Sequence, residues 1–209
     1  MEDITDYLIT NYLIFGVLVK LLSSCGNLLT ILVFSCVLGF VTARSIAPPS
    51  FQETTEEYKV KAVFLFHFAQ FVDWPADDFT GEKGPLIIGI LGDDPFGSYL
   101  DEVVAGEVIN GHPLEVRRFR NPEDIDNCHI LFIKEEGLGQ LRASLKHLQD
   151  RTVLTVGENP AFIRAGGMIR FLSEDSKIRL QINPEAARAS GLSISSKLLR
   201  LADISVPKI

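Results

Sequence analysis

The sequence predicts an α/β fold: a single three-layer-like domain with a mostly parallel open sheet, an antiparallel hairpin near its carboxyl end and helices on both faces. Three observations carry this. Short β-type apolar runs recur at residues 86–91, 114–119, 129–133 and 152–156. Helical stretches at 95–104, 138–148 and 160–164 separate them, the alternation that parallel strands joined by crossovers require. The rhythm then changes, because 168–173 and 177–182 are joined by Glu174-Asp-Ser176, too short for a crossover and suited to a hairpin.

The chain has 209 residues, 46% of them hydrophobic, enough for one core of ordinary size plus an extension at the amino end. From Leu21 to Ala43 no residue is charged, a stretch longer than the roughly 20 apolar residues that span a bilayer. Leu28 to Phe40 has the length of a signal-peptide apolar region, and Val41-Thr-Ala43 places small or modest residues before a cut ahead of Arg44. Residues 1–43 are therefore expected to be a signal peptide, with an uncleaved signal anchor as the alternative. The acidic start (Glu2, Asp3, Asp6) is unlike an ordinary leader, whereas initiation near Val17 would place Lys20 at its head. Leu22-Ser-Ser-Cys25 resembles a lipoprotein box, but the apolar run after the cysteine leaves no polar tether. Residues 44–55, with a Pro-Pro pair and no periodicity, read as a linker, 56–204 as the domain and 205–209 as a tail.

The domain opens on Glu57-Tyr-Lys-Val-Lys-Ala-Val-Phe-Leu-Phe-His-Phe-Ala-Gln-Phe-Val-Asp-Trp74, a helix stopped by Pro75. Lys59, His67, Gln70 and Asp73 fall near one stripe. Phe64, Leu65, Phe66, Phe68, Phe71, Val72 and Trp74 cover most of the rest, so burial on more than one side is expected. Four Asx-Pro pairs, at 94–95, 121–122, 159–160 and 183–184, set an oxygen acceptor ahead of a proline. That is the arrangement of an N-cap with proline at the first helical position. By this argument Asp94, beyond the run Leu86-Ile-Ile-Gly-Ile-Leu91, is a capping residue, and Asp93 beside it stays open to chemistry. Helices at 184–190, closed by Gly191, and at 192–202 complete the layout.

Composition and motifs exclude several function classes. A formal charge of −7 exerts no pull on a phosphate backbone or an anionic membrane surface, so nucleic acid is not an expected partner. No Gly-x-Ser-x-Gly, Walker loop, Gly-x-Gly-x-x-Gly, Cys-x-x-Cys or His-Glu-x-x-His occurs. His67, His112, His129 and His147 are scattered along the chain, and neither a metal site nor a cofactor is expected. Of three cysteines only Cys128 lies beyond the leader, so no intrachain disulfide is expected and Cys128 reads as a buried free thiol.

The segments Tyr58 to Pro75, Leu91-Gly-Asp-Asp-Pro-Phe-Gly97, Cys128-His-Ile-Leu-Phe-Ile133, Gly166-Gly-Met-Ile-Arg-Phe171, Ile182-Asn183 and Ser195-Ser-Lys-Leu-Leu-Arg-Leu-Ala202 resemble, in order, the YfiR family of exported bacterial proteins. The resemblance spans about residues 56–202. It implies a periplasmic α/β domain that is not an enzyme and that binds the periplasmic part of a membrane-bound diguanylate cyclase, restraining cyclic di-GMP synthesis and biofilm growth. It also implies a cysteine in the 86–91 strand able to pair with the one at Cys128. This sequence has Gly89 there, which removes the partner thiol.

Two surfaces are candidates for binding. On Lys177-Ile-Arg-Leu-Gln-Ile182 alternate residues share a face, so Lys177, Arg179 and Gln181 point away from Ile178, Leu180 and Ile182. With Arg170 on the partner strand, Arg179 and Gln181 form a cationic face suited to a carboxylate or phosphate. The helix at 57–74 supplies the second surface, with Phe64, Phe68 and Phe71 as anchors for a protein partner. Arg117, Arg118 and Arg120 read as a solvated strand end. The expected partners are a membrane signalling protein, diguanylate cyclase or sensor kinase, and a second copy of the chain. A small anion is the partner in the alternative reading as a periplasmic receptor, and a hydrolase built on Asp93 ranks last.

Overall fold

The computed structural model describes residues 51–204 apart from 82 and 176, so the leader, the first part of the linker and the tail 205–209 lie outside the described residues. In chain order the elements are α1 (Phe51–Phe71), β1 (Val72–Asp73), a 3-10 turn (Ala76–Asp78), β2 (Leu86–Gly92), α2 (Ser98–Val104), β3 (Val108–Ile109) and β4 (His112–Phe119). A second 3-10 turn (Pro122–Asp124), β5 (Ile130–Lys134), α3 (Leu138–His147), β6 (Leu154–Gly157), β7 (Ile169–Glu174) and β8 (Lys177–Ile182) follow. The chain then makes α4 (Pro184–Ala189), β9 (Ser193–Ile194), α5 (Ser196–Leu199) and β10 (Asp203–Ile204). Among the described residues no helix is long and apolar enough to cross a membrane.

Eight strands form one sheet in the order β3-β4-β2-β5-β6-β7-β8-β10, and β1 pairs with β9 in a separate antiparallel ladder. The stretch from β4 to β7 is parallel throughout, and the β7–β8 hairpin is antiparallel. The expected fold class is therefore present. Its central strands are apolar without interruption because both faces are covered. Leu86, Ile88, Ile90, Ile130, Phe132, Leu154 and Val156 enter one core with α1, α2, α4 and α5. The alternate residues Ile87, Leu91, Leu131 and Ile133 enter a second core under α3. Each such side chain taken fully out of water contributes about 1.5–3 kcal/mol before entropy is counted.

Several boundaries differ from the sequence expectation, each for a tertiary reason. Helix α1 begins at Phe51, inside the expected linker, and ends at Phe71, because Val72 and Asp73 pair with Ile194 and Ser193. The expected helix at 192–202 is broken by that same pairing; Ser195 donates its N–H to the Phe71 carbonyl (2.8 Å) and its hydroxyl then caps α5 at the Lys197 N–H. The expected helix at 160–164 is a run of turns, drawn tight around Phe162 by Gly157 and Gly167. Helix α2 starts at Ser98, not Pro95. Asp94 accepts from the Phe96 and Gly97 N–H groups (2.7 and 3.2 Å) and so closes a turn ahead of the helix. Of the four Asx-Pro pairs, Asn183 caps an α-helix, accepting from the Ala186 N–H.

Candidate binding site at the carboxyl end of the sheet

Winding runs outward from β2 to β4 in one direction and from β5 to β6 and β7 in the other. The carboxyl ends of β2 and β5 therefore flank the switch point at which doubly wound sheets receive ligands. Gly92, at φ +90, closes β2 against β5, and a side chain there would press on the Lys134 carbonyl at 2.8 Å. The pairing of Ile133 with Gly157 sets the next residues, Lys134 and Glu158, side by side. Over them lies the first half of α1. Lys61 shares the buried stripe of Leu65, Phe68 and Val72, which aims its ammonium at the strand ends.

These groups form one network. The Lys61 side chain, 3% exposed, pairs with both Glu57 and Glu158. Lys134 Nζ donates to Glu158 Oε2 (2.7 Å) and Tyr58 Oη (2.5 Å), and Tyr58 Oη donates to Glu158 Oε2 (3.0 Å). Ser173 Oγ donates to Glu57 Oε1 (2.6 Å), and Arg170 Nε to the Glu158 carbonyl (3.3 Å). Both ammonium groups stand near the Tyr58 ring. A shallow cleft of about 290 Å³ opens beside them, lined by Glu57, Tyr58, Lys61, Glu158, Arg170 and Phe171 among others.

The electrostatics move Glu57, Tyr58, Lys134 and Glu158 away from neutral pH, while burial lowers the Arg170 guanidinium from its ordinary value. Burial opposes the charged form of Glu158, yet hydrogen bonds from Lys134 and Lys61 outweigh it and hold the carboxyl below the ordinary carboxylate range. Burial pushes the Tyr58 phenol up. Burial also opposes the Lys134 ammonium, but its bonds to Glu158 and Tyr58 carry it above the ordinary lysine value. A general acid or base works best with a pKa near the working pH, and these directions are the opposite. The arrangement is suited to holding shape and presenting charge.

The structure joins Arg170 and Gln181 as cross-strand neighbours (Arg170 Nη1 to Gln181 Oε1, 3.4 Å) and sets Arg179 on the same face opposite Leu172. Arg170 is tied into the network through Glu158, and Arg179 Nε pairs with Glu174 (3.4 Å). Of the helix residues, Phe68 needs correction as an exposed anchor: it is fully buried and stacks on Phe171, ring centroids 5.9 Å apart. Phe64 and Phe71 are half-buried. Arg118 is more than a solvated strand end, since it bridges Asp94 (2.8 Å), Asp101 (2.5 Å) and the Gly97 carbonyl (2.9 Å), which occupies Asp94 structurally. Asp93 is exposed. Among the described residues no group of three or more His, Cys, Asp or Glu is placed to hold a metal ion.

Sequence reasoning missed Lys61, Lys134, Glu158 and Tyr58. A signal for Lys61 existed: a lysine at i, with Leu65, Phe68 and Val72 at i+4, i+7 and i+11, lies inside the buried stripe and needs a buried partner. Nothing local named Glu158 as that partner.

Cys128 is a buried free thiol, and burial pushes it up to about 12, so it is no nucleophile. A Cβ built on Gly89 would lie 2.7 Å from Cys128 Sγ, nearer than non-bonded atoms allow, with Leu131 Cδ1 and Phe119 Cε2 at 2.8 and 2.9 Å. Position 89 thus lies within reach of the Cys128 sulfur, although a side chain there requires Leu131 and Phe119 to shift. Gly89→Cys is expected to form that bond with Cys128 in an oxidising glutathione buffer, the two thiols yielding two protons and two electrons to the oxidant. The check is a linked peptide in a non-reduced digest; two separate free thiols at these positions would refute the geometry.

Two comparisons bear on identity. No curated protein matches the chain in sequence. Residues 58–203, from the tyrosine of the network to β10, match the family described as YfiR/HmsC-like. That family is one of regulatory proteins. The match runs through the sheet as far as the first residue of β10 and covers more than half of the sequence, and on that ground the chain belongs to the YfiR/HmsC-like family.

Proposed function

We propose that the chain is a non-catalytic regulator acting outside the cytoplasm, where it binds the periplasmic part of a membrane-bound diguanylate cyclase and restrains it. The observation that carries this reading is the family match over residues 58–203. The network supports it, with its groups driven away from proton transfer and its cleft shallow. Restraint of this kind is a population shift, so the domain must bind the inactive conformation of the enzyme more tightly than the active one.

The surface assigned to the partner is the outer stripe of α1: Val60, Phe64, His67 and Phe71 lie at i, i+4, i+7 and i+11, and Val60 is 47% exposed. Val60→Glu is expected to cut capture of the enzyme from solubilised membranes by roughly tenfold or more while leaving the melting temperature in place. Intracellular cyclic di-GMP should rise in step. Equal capture by variant and parent would remove this face from the reading. Capture of no membrane enzyme by the parent, or turnover of a substrate by the purified protein, would remove the regulator.

A further inference from the structure

A second cleft, of about 630 Å³, lies at the opposite, amino end of the sheet. Its walls come from the end of α1, from β1 and the turn after it, from the start of β2 and from the β3–β4 hairpin. Ala69, Val72, Trp74, Phe79, Leu86 and Ile109 make it apolar and aromatic. The volume falls in the range of small-molecule sites. The cleft at the switch point is less than half as large.

The aromatic walls are held in place from behind. Trp74 Nε1 donates to the His129 carbonyl (3.2 Å), and its ring meets the His129 ring edge-on, centroids 6.1 Å apart. Phe79 is stacked between His112 at 3.7 Å and His129 at 4.6 Å. His112 Nδ1 is anchored to the Gly84 carbonyl (2.7 Å), and His129 Nδ1 accepts from the Ile87 N–H (3.0 Å). Burial brings His129 down to about 4, so this stack carries no charge from it at neutral pH. A wall pinned at both ends loses little freedom when something is laid against it.

The carboxylates of the polar lining stand beside Asn110 and His112. Asp73 and Asp77 line the cleft as exposed carboxylates, and neither takes part in an ion pair among the described residues. No lysine or arginine among the described residues lines it. An aromatic face attracts a cation through its quadrupole, indole most strongly, and a carboxylate pair beside it adds direct Coulomb attraction. An apolar anion would meet two like charges and no lysine or arginine among the described residues. A neutral molecule would gain from the walls alone.

We propose that this cleft binds a small organic ammonium compound, its apolar part against Trp74, Val72 and Leu86 and its cationic head toward Asp73 and Asp77. The site is separate from the α1 face assigned to the protein partner and does not depend on the regulatory reading.

Trp74 is the single tryptophan of the chain, so tryptophan emission, excited apart from the tyrosines, reports on this cleft. Titration with phenethylammonium is expected to change Trp74 emission saturably. Phenethyl alcohol, nearly isosteric and neutral, and phenylacetate, of opposite charge, should each bind about tenfold or more weakly. The Asp73→Asn/Asp77→Asn double variant should bind phenethylammonium about tenfold more weakly than the parent, with calorimetry as a second readout and an unchanged melting temperature. No saturable change with phenethylammonium, equal binding of the alcohol or the carboxylate, or undiminished binding by the double variant would each overturn the proposal.

Discussion

Gly167→Ala is expected to lower the stability of the domain by about 3 kcal/mol or more, the upper end of what overpacking costs. A Cβ at Gly167 would stand 2.2 Å from both Cδ1 and Cε1 of Phe162, and one at Gly157 would stand 2.4 Å from Cε2 on the other side of the ring. The ring has nowhere to go. Phe162 is 0% exposed within the core under α3, and its backbone is held at both ends, donating to the Asn159 carbonyl (2.8 Å) and accepting from the Gly167 N–H (2.9 Å). Relief by moving the loop would break those bonds, and relief by shrinking the ring, as in Phe162→Ala, would leave a cavity costing about 3–5 kcal/mol. Against a total of roughly 5–15 kcal/mol the loss is large. For a domain of this size it should appear as a fall in melting temperature of roughly 10 °C. Gly139→Ala is the control. It lies in α3 with nothing within 4 Å of an added Cβ, and it should raise stability by up to about 1 kcal/mol. A urea midpoint for Gly167→Ala equal to that of the parent would show that the Phe162 socket is looser than these distances state.

Glu158→Gln is expected to cost about 3–5 kcal/mol at neutral pH, as removal of one partner from a buried ion pair does. The change keeps the shape of the side chain and removes its charge. Lys61, almost wholly buried, would keep Glu57 alone, and Lys134 would lose its carboxylate. The pH dependence identifies the cause. Glu158 is held below its ordinary value of 4.5 in the folded state. Its contribution is therefore complete above that value and is lost as pH falls through the folded-state value. The parent should lose stability over that acidic range more steeply than Glu158→Gln, and the two curves should converge. Glu57, shifted in the same direction with Lys61 and Ser173 as donors, acts with the same sign and remains in both proteins. Lys61→Met added to Glu158→Gln should restore part of the loss, because an apolar chain then occupies the stripe and no buried ammonium is left short of a partner. Parallel pH curves for parent and variant would mean that Glu158 contributes packing and not charge.

Both predictions concern the loop after β6, where sequence reasoning was weakest. Pro160 after Asn159 has the form of a helix start, and locally that reading is sound. It fails because Gly157 and Gly167, ten residues apart, close on one phenylalanine, a three-body contact that no window of sequence contains. Lys61 was legible as an anomaly in an apolar stripe, while its partner lies 97 residues away and is delivered by the register of β5 and β6. The same holds for the end of α1, where helical periodicity continued to Trp74 until β9, far along the chain, claimed Val72 and Asp73.

What the sequence determined by itself was everything that depends on near neighbours: strands apolar on both faces, hence a covered parallel sheet, the 177–182 hairpin with its alternating faces, and the caps and turns at Asx-Pro. What only the tertiary structure decided was strand order, the switch point at β2, the meeting of Lys61, Lys134 and Glu158, and the second cleft beneath Trp74 and Phe79. The reason is physical. Periodicity and capping are interactions between residues within a few positions, so the local sequence contains both partners. Ion pairs, close glycine contacts and cleft walls join groups separated by tens of residues, and their partners become neighbours only when the sheet register places them there.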